Sequence, residues 1–254
     1  MDKFIKSLAR RAGKKLYQYF KKEQRLISVR ENNKEIVTRY DKATDRYLLE
    51  QIEKRYPTHS ILSEESGFHK KQSDFMWIVD ALDGTQNFAN NNPLFAINLG
   101  IAKNKEMFLG VVYLPVLDEL YFAEKGSGAF LNGRSIKVSS NQNIDKSYGV
   151  WCPGAATDRS KLNQLFSGFY PEVMDLRKLG SGGVETAWVA SGRSDFYFVP
   201  EVDPWDIAPG VLLVEEAGGK VSDFQGENWQ LERGNLLFSN GPMHDDLLDM
   251  INWS

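Results

Sequence analysis

The chain has 254 residues, 42% of them hydrophobic and 26% charged, with a formal net charge of −3. That length and apolar content bury a large core in one domain or two closely packed halves, which excludes a disordered, low-complexity or disulfide-stapled miniature protein. The single cysteine, Cys152, excludes an intrachain disulfide, and with no apolar leader after Met1 and no run of membrane-spanning length we expect a cytoplasmic protein without membrane contact.

Phe4, Ile5, Leu8, Ala12, Leu16 and Phe20 recur at helical spacing and predict an amphipathic first helix, with Lys3, Lys6, Arg10, Lys14 and Lys21 largely on its other face. Residues 1–30 hold ten Lys or Arg against two Asp or Glu, so this segment carries +8 and the remainder −11. Such a run usually solvates a helix face, and nucleic acid is not an expected partner. Glu31-Asn32-Asn33-Lys34-Glu35 reads as a polar turn, and a second helix is predicted over 42–56, stopped by Pro57. Ser60-Ile61-Leu62-Ser63 and Phe75-Met76-Trp77-Ile78-Val79 read as buried strands, and 96–102, 108–114 and 119–124 as an antiparallel meander. Gly126-Ser127-Gly128 reads as a turn, since it lacks the third glycine and the helix of a dinucleotide site. Beyond about residue 140 helix and strand alternate, with helices near 159–166, 183–190, 207–217 and 245–253. The expected organisation is an α+β half, 1–140, and an α/β half, 141–254, closely packed.

Carboxylates gather where these elements end. Glu64 and Glu65 follow one strand, Asp80 and Asp83 follow another, and Asp206 sits near a helix start. Brought together they would repel one another strongly without cations, and an all-oxygen set selects hard divalent ions, Mg²⁺ before Mn²⁺ or Ca²⁺. Gly84-Thr85 can turn the chain into a short helix whose first N–H groups face an anion. Each cluster alone is more often a solvated loop than a ligand set, and Asp83-Gly84 reads equally as an ordinary turn. His59, His69 and His244 fit no zinc spacing and are expected on the surface or in loops. No G-x-x-x-x-G-K-[ST] phosphate loop occurs.

The order Ser63-Glu64-Glu65-Ser66, Asp80-x-Leu82-Asp83-Gly84-Thr85-x-Asn87-Phe88 and Trp205-Asp206-x-Ala208-x-Gly210 resembles the inositol monophosphatase family of Mg²⁺-dependent phosphomonoesterases. Val37-Thr38-x-x-Asp41 and Gly126-x-Gly128-Ala129-Phe130-x-Asn132-Gly133 extend the likeness through nearly the whole chain. The resemblance implies a layered α-β-α-β-α sandwich, a homodimer, and hydrolysis of a small phosphorylated sugar or polyol, inositol monophosphate first. Relatives with the same core serve fructose-1,6-bisphosphate, 3′-phosphoadenosine-5′-phosphate and histidinol phosphate; a non-catalytic regulatory or RNA-associated module is the other alternative. It further implies two or three Mg²⁺, with Mn²⁺ as substitute: Glu64, Asp80 and the Leu82 carbonyl for one ion, and Asp80, Asp83 and Asp206 for the next. Thr85, relaying to Asp41, and Glu64 would orient and deprotonate the attacking water. The N–H groups of Gly84 and Thr85 would grip the phosphate, with Asp83, Gly180, Ser181, Gly182, Glu201 and Asp206 toward the substrate. Three positions depart from the family pattern: Ala81 stands for a usual proline, Arg30 for a frequent lysine, and Val199 for the glutamate of inositol-specific members.

Overall fold

The computed structural model describes residues 1–21, 27–29, 36–153 and 159–251, so Arg30, the turn 31–35 and the end of the last expected helix lie outside it. The first helix, α1 (Asp2–Phe20), buries Ile5, Leu8, Ala9, Ala12 and Leu16, the stripe expected from their spacing. A two-stranded antiparallel ladder follows, β1 (Ile27–Val29) with β2 (Ile36–Thr38), and then α2 (Arg39–Arg55), which starts earlier than expected and ends before Pro57.

Next come β3 (Ser60–Ser63), β4 (Gly67–His69), β5 (Phe75–Asp83) and the short α3 (Thr85–Ala89). The strand expected to stop at Val79 runs on through Asp80 to Asp83. Its pairing with β6 (Ala96–Lys103) shifts register between those two aspartates, a bulge that re-aims side chains which would otherwise alternate. The meander appears as expected in β6, β7 (Glu106–Leu114) and β8 (Glu119–Glu124). A hairpin not foreseen, β9 (Gly128–Leu131) with β10 (Arg134–Ser135), extends it. The eight strands lie in the order β10-β9-β8-β7-β6-β5-β3-β4, and β3 with β5 is the parallel pair.

A second sheet is built from β11 (Tyr148–Trp151), β12 (Asp175–Arg177), β13 (Phe196–Val202), β14 (Lys220–Asp223) and β15 (Gly234–Ser239), in the order β12-β11-β13-β15-β14. Between its strands run α4 (Arg159–Phe169), α5 (Gly182–Ala190) and α6 (Pro204–Glu216), and α7 (His244–Asp249) closes the described chain.

Alternation along the strands explains the layering. Trp77 and Val79 of β5 join α1 and α2 in one core, while Ile78 joins α5 and α6 in another. In β13, Phe196 and Phe198 pack with α4 and α7, and Tyr197 faces α5 and α6. Each such side chain contributes about 1.5–3 kcal/mol on burial. The result is the α-β-α-β-α sandwich the resemblance implied, with α5 and α6 as the central layer shared by both sheets. At the far end of α6 the Glu216 carboxylate accepts the N–H groups of Gly126 (2.6 Å) and Gly128 (2.7 Å), tying that helix to the β8–β9 turn.

Two of the histidines are buried rather than on the surface, although His59 does lie in the loop between α2 and β3 as one half of the expectation had it. His59 is buried with its ring stacked on Tyr56 and Phe75, and its Nδ1 accepts from Trp77 Nε1 at 3.2 Å. His244 is wholly buried between Ser222 and Ser239, 2.8 Å from each hydroxyl. Ser222 gives its own proton to the Asp223 carbonyl, so it accepts from His244 Nε2–H while Ser239 donates to Nδ1. Burial, with the Lys220 charge behind it, pushes the His244 pKa down to about 4.

Candidate active site

Three chain segments deliver one carboxylate each. β3 ends at Ser63 and hands over to Glu64, whose N–H donates to the Val79 carbonyl of β5 at 3.2 Å. The β5 bulge carries Asp80. At the third, Asp203 occupies the N-cap of α6 and Pro204 its first position, where a missing N–H costs nothing, and this sets Asp206 in the first turn. Oxygens of Glu64, Asp80 and Asp206 all lie within 4.8 Å of one another.

The electrostatics of this trio are unfavourable by themselves. Burial, then the charges of Glu64, Asp83 and Asp206, hold the Asp80 carboxyl well above the usual carboxylate range. Asp206 is raised in the same way by burial and then by Glu64, Asp83 and Asp203. Asp80 Oδ1 accepts the Leu82 N–H at 3.0 Å, but its buried Oδ2 has no partner. A divalent cation that takes oxygen ligands would relieve both the repulsion and the orphaned oxygen, so the donor set fits Mg²⁺.

Asp83 is turned elsewhere. Its carboxylate accepts from Gly183 N–H (2.6 Å), Ser181 Oγ (2.7 Å), Asn98 Nδ2 (3.1 Å) and Gly182 N–H (3.2 Å), capping the first turn of α5. Residue 183 must be glycine for this, because a Cβ there would overlap Asn98 Oδ1 and stand 2.8 Å from Asp83 Oδ2. Asn98 also donates to the Asp206 backbone carbonyl at 3.0 Å and so joins the two aspartate-bearing segments. Sequence reasoning missed it. The available signal was one amide inside the apolar Ala96-Ile97-Asn98-Leu99.

Thr85 Oγ1 lies 2.8 Å from Asp41 Oδ1 on α2 and 3.0 Å from the Leu82 carbonyl, and its one proton serves either acceptor at a time. Gly84, with φ +85, supplies the left-handed turn from β5 into α3, and a Cβ there would meet Ser181 Cβ at 3.0 Å. The Gly180-Ser181 loop therefore packs directly on the Gly84 turn. It is held from behind by Glu185, a fully buried carboxyl whose Oε1 accepts the N–H groups of Leu179 (2.9 Å) and Gly180 (3.1 Å). α5 begins at Gly182, one residue ahead of the expected 183, with Ser181 as its N-cap.

Two positions sit apart from the trio. Val199 is packed in the core between the sheets, so a carboxylate there would be buried among apolar side chains. Glu201 takes a left-handed φ of +54 where the β13–β15 pairing slips, and its N–H donates to Asn235 Oδ1 at 2.8 Å.

The family model described as inositol monophosphatase family matches residues 1–252. A Thermotoga maritima protein named fructose-1,6-bisphosphatase/inositol-1-monophosphatase is 40% identical over 224 residues, which cover 86% of this chain and 83% of that one. The Haemophilus influenzae protein named Nus factor SuhB is 34% identical over 248 residues, 96% of this chain and 92% of its own. Among solved structures, a Thermotoga maritima IMPase superposes with a TM-score of 0.90 at 35% identity, covering 98% of this chain and 96% of that one. The extragenic suppressor protein suhB from Bartonella henselae gives a TM-score of 0.91 at 29% identity, with 96% and 95% covered. On the match of its whole length and of its layered fold, the chain belongs to the inositol monophosphatase family.

Proposed function

We propose that the chain is a Mg²⁺-dependent phosphomonoesterase acting on a small sugar or polyol phosphate, with inositol monophosphate as its first candidate substrate. The observation that carries this reading is the trio Glu64, Asp80 and Asp206, drawn together with one buried oxygen left unpaired. Those three residues and the Leu82 carbonyl would hold two or three Mg²⁺, or Mn²⁺ in their place, and Asp83 would join them if its carboxylate turned away from α5. When bound, such ions supply positive charge to the phosphate oxygens and activate water.

The protein's own groups would orient the reaction. While Thr85 donates its proton to Asp41, its oxygen still accepts one from the attacking water and aims that water at phosphorus, with Glu64 as the neighbouring base. The N–H groups of Gly84 and Thr85, at the start of α3, would hold phosphate oxygens without a side-chain cation. Gly180, Ser181 and Gly182, with Asp83, Glu201 and Asp206, are assigned to the polyol side. A homodimer and a division of the chain near residue 140 complete the reading.

The name of the Thermotoga relative favours fructose-1,6-bisphosphate as the second substrate to test, ahead of 3′-phosphoadenosine-5′-phosphate and histidinol phosphate. A regulatory role without catalysis, to which the name Nus factor points, accounts for neither the repelling trio nor the orphaned Asp80 oxygen. Phosphate release from the four substrates, each with Mg²⁺ and with chelator, tests the proposal. Mg²⁺-dependent turnover of at least one is expected, and release from none of them, with Mg²⁺ or Mn²⁺, overturns it.

A further inference from the structure

We propose that Asp45 is a positioning residue for the cation: it clamps the turn that carries Glu64 and thereby sets how tightly the site binds a divalent ion. This rests on the reading of Glu64 as a ligand. Asp41 and Asp45 stand four residues apart on α2 and share one face of it, each only 3% exposed. They reach different parts of the site. Asp41 meets Thr85 at the start of α3, while Asp45 receives the hydroxyl protons of Ser63 on one carboxylate oxygen and Ser66 on the other.

Ser63 and Ser66 flank Glu64 and Glu65, so both ends of that turn are fastened to one carboxylate. The Ser66 N–H donates back to Ser63 Oγ at 3.4 Å, and the Glu64 N–H is fixed to Val79 at 3.2 Å. The backbone from which Glu64 extends is therefore held on three sides, by α2, by the turn itself and by β5. With a hydroxyl donor on each oxygen, the Asp45 carboxylate can brace a turn, and the turn it braces is the one that carries Glu64. Fixing the origin of the Glu64 side chain reduces the ordering that cation binding must impose, and partners of this kind typically govern affinity by tenfold to a hundredfold.

The test uses the full chain, stripped with chelator and titrated with Mg²⁺ alone by calorimetry and with Mn²⁺ alone by electron paramagnetic resonance, so that no turnover is required. Asp45→Asn is expected to weaken cation binding by about tenfold or more. Ser66→Ala should weaken it several-fold, and Ser66→Thr, which keeps the hydroxyl, should restore it; this pair serves if Asp45→Asn does not fold. Glu64→Gln should weaken binding at least as far, with Asp45→Asn adding little on top of it, because the two act through one ligand. A purely structural brace would lower the melting temperature of the chelated protein and leave cation affinity unmoved. If Glu64→Gln weakens binding while Asp45→Asn, or Ser66→Ala in its stead, stays within twofold of wild type, the clamp is wrong and the ligand stands. Unchanged affinity in Glu64→Gln overturns the ligand assignment and the clamp with it.

Discussion

Asp195 and Asp80 are both buried carboxylates, one beside each sheet, and the molecule treats them in opposite ways. Asp195, just ahead of β13, accepts from Ser139 Oγ, from the Tyr148 N–H at 2.8 Å and from Asn141 Nδ2 at 3.2 Å. Asn240 closes the ring by donating to Ser139 Oγ (2.9 Å) and the Asn141 carbonyl (2.7 Å). Asp80 receives one backbone N–H and otherwise faces the carboxylates of Glu64, Asp83 and Asp206. A buried charge surrounded by donors holds loops together. A buried charge surrounded by acceptors is a debt that folding alone gives no reason to keep.

Paired substitutions should separate the two cases. Asp206→Asn is expected to lower turnover on the order of a hundredfold or more, by removing an anionic ligand. In chelator its melting temperature should hold or rise, since repulsion within the trio falls. Asp195→Asn should do the reverse, losing about 2 kcal/mol of stability and keeping its turnover per folded molecule. Equal destabilisation of both in chelator, measured by thermal unfolding, would erase the distinction.

Thr85→Ala sharpens the same contrast within the acidic region. We expect kcat to fall by about tenfold or more with KM nearly unchanged, because the hydroxyl is assigned to water and the backbone grip survives. A change confined to KM in steady-state assays contradicts that role.

His244, at the start of α7 against the second sheet, supplies the satisfied counterpart. Its pKa lies near 4 in the fold against 6.5 when unfolded, so below pH 6.5 the unfolded chain binds the extra proton. Stability should therefore be complete above about pH 6.5 and decline as pH falls toward 4, by roughly 2–3 kcal/mol from this group. Urea unfolding of wild type and His244→Gln across that range checks it; identical pH slopes would remove His244 as the cause. The smallest effect is expected at Glu201, where Glu201→Gly should gain about 1 kcal/mol by relieving the left-handed backbone. If Glu201 serves the polyol, the variant should also raise KM for inositol phosphate a few-fold, and an unchanged KM argues against that assignment.

The fold was legible wherever a period carried it. The α1 stripe and the β6–β8 meander follow directly from apolar spacing. The β5 extension was not legible, because a bulge through Ala81 and Leu82 leaves no mark in alternation. Nor were the roles of His59, His244, Asn98 and Asp45, polar residues whose hydrogen-bond partners are set by packing rather than by neighbours in sequence. Asp83 shows the limit most clearly: its motif names the residue, but only the fold reveals that Ser181, Gly182 and Gly183, about a hundred residues later, take up its carboxylate.

α6 lies between the two sheets, with Asp206 at one end and Glu216, anchored to the β8–β9 turn, at the other. In a split-protein experiment cut between Ser135 and Tyr148, the first fragment would carry Glu64 and Asp80 but lack the helix that covers its inner face, while the second would carry Asp206 on a helix that has lost one of the two sheets it lies between. Neither piece has a solvent-ready surface there, so complementation of the two, rather than independent folding of either, is what the central layer dictates.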